Sequence, residues 1–172
     1  MNLIAAIRKE HSRAQCERIV RYIGEDKSRF AALVRIFLAG PYRLTQRAAW
    51  PLSYCVERHP HLVQPYLGGI IRNLSRNDIH DAVKRNTLRL LQFISMPLRW
   101  QGPLSKICFE FLSDPREPIA VRVFSMTVLG NISQKQPDLK NELRMLIEEQ
   151  LPYASAGFRA RARKVLESIQ VN

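Results

Sequence analysis

Hydrophobic residues recur at helical spacing along almost the whole chain. In the segment 12–24 the apolar positions fall at i, i+3, i+4 and i+7, which is one face of a helix: Cys16, Ile19, Val20 and Ile23. Glycines, prolines and polar clusters separate this segment from similar ones. The pattern predicts an all-α protein with helices over 12–24, 28–39, 45–59, 61–74, 81–95, 103–113, 119–133, 137–150 and 157–169.

The clearest helix pair lies between Arg47 and Leu74, where two apolar helical patterns meet at the His59-Pro60 turn. Pro51 stands inside the first of these helices and predicts a kink, because proline removes a backbone donor and its ring crowds the preceding turn. The segment 96–102, which includes Trp100, is predicted to be a loop.

Weak internal similarity relates this pair to the later ones. Lys84, Arg122 and Arg159 align at intervals of 38 and 37 residues. Seven positions after each of these basic residues stands a leucine: Leu91, Leu129 and Leu166. Ten positions after each stands an isoleucine: Ile94, Ile132 and Ile169. A further step of 37 residues towards the N-terminus reaches Arg47, where the leucine and isoleucine positions hold other residues. A period of this length is typical of helical-repeat proteins.

The chain resembles the HEAT-repeat and HEAT-like superfamily in three features. These are the period, the proline in a first helix, and the turn at His59-Pro60, which is similar to a later turn at Gln136-Pro137. The resemblance covers about residues 12–169 and implies a right-handed α-solenoid of antiparallel helix pairs, with about four repeats in a single domain over residues 1–172. It also implies that the second helix of each pair lines a concave surface. One departure is that the proline at position 51 is not repeated in later pairs.

The formal charge of +12, from 27 basic and 15 acidic residues, favours anionic partners. Three widely spaced cysteines, Cys16, Cys55 and Cys108, predict neither a disulfide framework nor a zinc site and fit a reducing, cytoplasmic location. The apolar run from Leu3 to Ile7 is too short for a signal peptide, and no run is long enough to span a bilayer.

Basic residues stand on outward or flanking positions of successive second helices and predict a binding strip: Arg35, Arg72, Lys106 and Arg144. The strip is expected to be mainly N-terminal, around Arg35, Arg72 and Arg76. Gly68 and Gly69 face the same side. They either form a smooth groove for an acidic peptide or phosphate, or allow a neighbouring helix to approach closely.

Trp100, beside Arg99, is a further candidate binding residue, although a loop tryptophan also closes helix junctions. Glu57, His59 and His61 have a spacing that suits a turn better than a metal site. No nucleophile–base pair or phosphate-binding loop is recognisable, so no catalytic residue, metal or cofactor is predicted.

These observations predict a non-enzymatic binding or scaffold module that presents a basic concave surface to an anionic protein or nucleic acid, with a protein partner favoured. An alternative is a DNA-acting enzyme resembling the HEAT-like alkylation-repair glycosylases, with Trp50, Trp100 and Asp78 in the active-site roles. A third possibility is a structural partner in an oligomer, and the oligomeric state stays open.

Overall fold

The computed structural model describes residues 1–170, which form helices and no β-strand. The helices are α1 (Leu3–Lys9), α2 (Arg13–Ile23), α3 (Lys27–Ala39), α4 (Tyr42–Arg58), α5 (Leu67–Leu74), α6 (Asp81–Leu91), α7 (Leu98–Ser113), α8 (Ile119–Ser133), α9 (Asp138–Gln150) and α10 (Ala156–Gln170). Two 3-10 segments, Pro60–Tyr66 and Leu151–Tyr153, precede α5 and α10. The prediction of an all-α fold is confirmed.

The chain divides into two compact units after Ile94, and we call the N-terminal part unit 1 and the C-terminal part unit 2. Unit 1 contains α1 to α6 and unit 2 contains α7 to α10. The prediction of a single domain over residues 1–172 stays a prediction.

Unit 1 is built around α4, which packs against α1, α2, α3 and α6. Leu52 and Val56 of α4 are fully buried, and α3 contributes the fully buried Phe30 and Phe37. Burying a side chain of this size stabilises the fold by about 1.5–3 kcal/mol. Four neighbours allow α4 to bury residues on most of its circumference, including Pro51 and Ser53.

Unit 2 is built in the same way around α8, which packs against α7, α9 and α10. Met126 and Leu129 of α8 are buried together with Phe158 of α10. Gly130 lets α10 approach closely, because a Cβ atom at this position would lie 3.1 Å from Cγ1 of Val165. A larger residue at position 130 would therefore push α10 away from α8.

Two of the basic residues that mark the repeat bind the end of an earlier helix. The guanidinium of Arg47 donates to the carbonyl oxygens of Arg8 at 2.8 Å and Ile7 at 3.4 Å, in the last turn of α1. Arg122 reaches the Leu112 carbonyl oxygen in the last turn of α7, at 3.5 Å. The last carbonyl groups of a helix lack intrahelical donors and carry partial negative charge, so a cation placed there is stabilising. Arg47 and Arg122 therefore have structural roles.

The repeat alignment also agrees with the pattern of burial. Its isoleucine positions, Ile94, Ile132 and Ile169, are all buried, and so are Leu91 and Leu129 at the leucine position. Leu166, the last leucine of the series, is half-buried. The period therefore identifies core positions in both units.

Helix α1 was not predicted. Asn2 caps it, since the side chain accepts a hydrogen bond from the Ala5 amide at 3.0 Å. Leu3, Ala6 and Ile7 are its buried residues. Asparagine followed by apolar residues at this spacing is a helix-start signal, although the helix is only seven residues long.

Prolines account for two further differences. The predicted helix 61–74 is α-helical only from Leu67, because Pro60 and Pro65 lie in a 3-10 segment. The prediction of a loop over 96–102 is wrong from Leu98 onward, since α7 begins there and contains Pro103 as an internal residue. Trp100 therefore lies in the first turn of a helix.

All three cysteines are buried free thiols, as the apolar sequence around them indicates. Burial raises the pKa of Cys16 and the pKa of Cys55 to about 12, so both thiols stay protonated at neutral pH. Burial also raises the pKa of Cys108. In residues 1–170 no helix has the combination of length and apolar character that crossing a membrane requires.

The contact between α8 and α10 gives a test of the packing in unit 2. We expect Gly130→Val to lower the free energy of unfolding by about 1–3 kcal/mol, because the new methyl groups overlap Val165. Adding Val165→Ala to Gly130→Val should cost less than Val165→Ala costs alone. Urea unfolding followed by far-UV circular dichroism measures both effects. Full additivity of the two substitutions would contradict close packing between these residues.

Candidate functional site

Arg35 and Arg72 are the exposed basic residues that the sequence predicts for the binding strip in unit 1. Arg35 lies on α3 and Arg72 on α5, and these two helices pack against each other. Within residues 1–170 neither guanidinium forms a hydrogen bond or an ion pair with a protein group. Both charges are therefore available to a partner.

Gly68 and Gly69 lie in the first turn of α5, and not near the middle of an α-helix as the predicted helix 61–74 would place them. A Cβ atom on Gly69 would lie 3.2 Å from Cδ1 of Leu38 on α3, which is tighter than an ordinary contact. Gly69 therefore permits the close approach of α3 and α5. Its position supports the packing explanation that the sequence left open.

Arg76 is already paired within unit 1. Its Nε and Nη2 atoms donate to the two carboxylate oxygens of Asp78 at 2.9 Å and 2.7 Å. These hydrogen bonds lower the pKa of Asp78 and raise the pKa of Arg76. The pair carries no net charge, so Arg76 adds little to the attraction of an anionic partner. The same pairing occupies Asp78, the carboxylate named for the enzyme alternative.

Trp100 and Lys106 both lie on α7 of unit 2. The ring of Trp100 is half-buried, and the guanidinium carbon of Arg99 lies 5.9 Å from its centroid. Its indole N–H is buried and has no hydrogen-bond partner among residues 1–170. Lys106 is exposed. The roles of both residues in binding stay predictions.

An apolar groove lies between α1 and α3 in unit 1, with a volume of about 630 Å³. Ile4, Ala32 and Ile36 line it, and Ile4 remains 43% exposed. Arg35 also lines this groove. An apolar surface therefore lies next to one of the two available arginines.

An aromatic and arginine surface on α4 and α6 was not predicted from the sequence. The rings of His11 and Trp50 meet edge to face at 5.3 Å, and Trp50 and Tyr54 do so at 6.5 Å. The guanidinium carbon of Arg89 lies 4.4 Å from the centroid of Tyr54. Stacking of this kind combines cation–π attraction with coverage of the ring face.

Arg89 is held in place by two side chains of α4. It donates to Glu57 and, at 3.2 Å, to the hydroxyl oxygen of Ser53. Arg89 therefore joins α6 to α4 and orients Tyr54. The signal for this surface is present in the sequence, since Trp50 and Tyr54 are four residues apart on a helix, but the sequence-based prediction names Trp50 only for the enzyme alternative.

The pKa of His11 reflects its burial and the positive charges near this surface. Partial burial lowers its pKa below the ordinary value of 6.5, and the nearby charges of Arg47 and Arg85 lower it further. The folded state therefore favours the neutral imidazole. Between the pKa of His11 in the folded chain and 6.5, the unfolded chain binds more protons than the folded chain. Because of His11, the free energy of unfolding therefore rises with pH across that interval and is lower at more acidic pH.

We expect an NMR titration to give His11 a pKa below 6.5 in the folded chain. Arg85→Gln should raise this pKa, because it removes one of the two positive charges that oppose protonation. Lys164→Gln in unit 2 is the control and should leave the titration of His11 unchanged. An unchanged pKa in Arg85→Gln would show that Arg85 does not act on His11.

Comparison with known proteins agrees with the fold. Searches of the curated proteins and of the solved structures each find no match. The family model of the HEAT repeat domain matches residues 3–169, which is almost the whole chain. The match covers both units and includes α1, which the sequence pattern alone did not reveal. The chain therefore belongs to the HEAT repeat family.

Proposed function

We propose that the chain is a non-enzymatic binding module and that the surface of α3 and α5 in unit 1 binds an acidic segment of a partner protein. The observation that carries this proposal is the exposure of Arg35 and Arg72 on two neighbouring helices, with neither bound to a carboxylate in the part of the chain described. HEAT repeats generally serve as scaffolds that bind other proteins, which is consistent with such a role.

The distribution of charge supports an anionic partner for unit 1. Residues 1–94 contain 16 basic and seven acidic residues, a net charge of +9. Residues 95–172 contain 11 basic and eight acidic residues, a net charge of +3. Unit 1 therefore attracts anions more strongly, and the exposed arginines provide the local contacts.

The groove between α1 and α3 favours a protein over a nucleic acid. Its lining is dominated by apolar side chains, with Arg35 beside them. An amphipathic peptide can place apolar residues in the groove and a carboxylate on the guanidinium. A nucleic acid offers mainly phosphate groups and needs a series of cationic contacts.

Two structural details support a binding role over the DNA-acting alternative. Asp78 accepts two hydrogen bonds from Arg76, and Trp50 packs between His11 and Tyr54. Both side chains therefore have structural contacts. The free, buried cysteines support a reducing location such as the cytoplasm.

Fluorescence anisotropy with two probes tests this proposal. The first probe is a labelled amphipathic peptide with leucine on one face and glutamate on the other, and the second is a labelled DNA duplex. Arg35→Glu combined with Arg72→Glu should weaken peptide binding at least about tenfold, which corresponds to about 1.4 kcal/mol, because two attractions become repulsions.

Arg163→Glu combined with Lys164→Glu is the matched control. Both residues are exposed on α10 of unit 2, so the net charge changes equally while α3 and α5 keep their surface. This control should change peptide affinity by less than about twofold, because salt screens exposed charges that the peptide does not contact. Equal losses in the two double variants would contradict a specific site. Stronger, steeply salt-dependent binding of the duplex would assign the surface to nucleic acid.

A further inference from the structure

A second groove lies between α7 and α9 in unit 2, with a volume of about 820 Å³. The residues that line it are Phe109, Glu110, Ser113, Glu142, Met145, Leu146 and Glu149. Helix α7 provides one wall and helix α9 the other. Its electrostatic character differs from that of the groove in unit 1.

Most of the surface of this groove is apolar. Met145 is 71% exposed, and Phe109 and Leu146 are half-buried. Exposed apolar surface in a concave site is typical of a place where another molecule binds. Methionine also adapts its shape to different apolar groups, since its side chain is flexible and polarizable.

The charged residues of the groove are all acidic. Glu110 stands on the α7 wall, and Glu142 and Glu149 stand on the α9 wall. Glu142, Met145 and Glu149 are three and four residues apart, so they share one face of α9. The rim therefore carries three negative charges around an apolar surface, in a chain whose net charge is +12.

The nearest basic residues on these helices leave the rim uncompensated. Lys106 precedes Glu110 by four residues and Arg144 precedes Glu148 by four, but neither lysine nor arginine lines the groove. In residues 1–170 no ion pair joins Lys106 to Glu110 or Arg144 to Glu148. The basic strip predicted from sequence is therefore interrupted in unit 2 by an acidic groove.

We propose that the groove between α7 and α9 binds a basic amphipathic helix of a partner protein. Apolar residues of that helix contact Met145 and Phe109, and lysine or arginine residues beside them face Glu110, Glu142 and Glu149. The cations offset the mutual repulsion of the three carboxylates, and the apolar face removes Met145 from water. A helix that lies in a groove between two helices is a recurrent mode of peptide recognition.

This interaction is independent of the one proposed for unit 1, because it uses other helices and a partner of opposite charge. The chain thus has two binding surfaces, one for an acidic segment and one for a basic segment. Each surface is tested with a different probe.

The test uses the full chain and a labelled amphipathic peptide with leucine on one face and lysine on the other. Glu142→Gln combined with Glu149→Gln should weaken binding about tenfold, because both substitutions remove attraction at the rim. Met145→Ser should also weaken binding, since it removes the apolar anchor while an exposed residue tolerates the change. Circular dichroism checks that each variant is folded.

Glu10→Gln combined with Glu167→Gln is the matched control. Both residues are exposed, Glu10 directly after α1 and Glu167 on α10, and neither lines the groove. This variant has the same net charge as the first pair and should bind the peptide within about twofold of the original chain. Arg35→Glu combined with Arg72→Glu should also keep its affinity for the lysine peptide, which separates this proposal from the one for unit 1.

Three results would overturn the proposal. The first is a failure of the lysine peptide to bind, and the second is equal binding by a peptide in which each lysine is replaced by glutamate. The third is self-association of the chain, in analytical ultracentrifugation, that Met145→Ser abolishes. That result would make a second copy of the chain the occupant of the groove.

Discussion

The fold depends on the burial of one central helix in each unit. Helix α4 is enclosed by α1, α2, α3 and α6, and α8 by α7, α9 and α10. A single helix pair leaves much of its apolar surface in water, so a third and fourth helix are needed to complete the core. Ser53 in α4 and Ser125 in α8 are fully buried, which shows how completely these helices are enclosed.

The basic residues fall into two groups, according to whether they contribute to this packing. Some arginines stabilise the packing: Arg47 and Arg122 bind the ends of earlier helices, and Arg89 links α6 to α4. Others, such as Arg35 and Arg72, remain in solvent. The net charge of +12 therefore does not show which of the basic side chains a partner can contact. Binding therefore has to be explained from the positions of individual side chains rather than from the total charge.

The sequence predicted most of the helices because their apolar positions follow a helical period and most of their ends carry recognisable signals. Asp26, for example, caps α3 with hydrogen bonds from the amides of Ser28 and Arg29. Proline made the starts of α5 and α7 harder to place. Pro65 lies in a 3-10 turn and Pro103 inside a helix, and the local sequence does not distinguish the two situations.

The surfaces were less predictable than the core, because they depend on which side chains meet across helices. Arg76 was predicted as a binding residue, yet its charge is balanced by Asp78 only two positions away. The contacts of Trp50 with His11 and of Arg89 with Tyr54 join residues about 35 to 40 positions apart. Periodicity identifies the face of a helix, but it does not identify the neighbour that covers that face.

Our central claim is that the two units carry binding surfaces of opposite charge, on α3 and α5 in unit 1 and on α7 and α9 in unit 2. Amide hydrogen exchange of the full chain, measured separately with the glutamate peptide and the lysine peptide, tests it most directly. We predict that the glutamate peptide slows exchange in α3 and α5, and that the lysine peptide slows exchange in α7 and α9. Protection of the same helices by both peptides, or of neither set, would contradict the account.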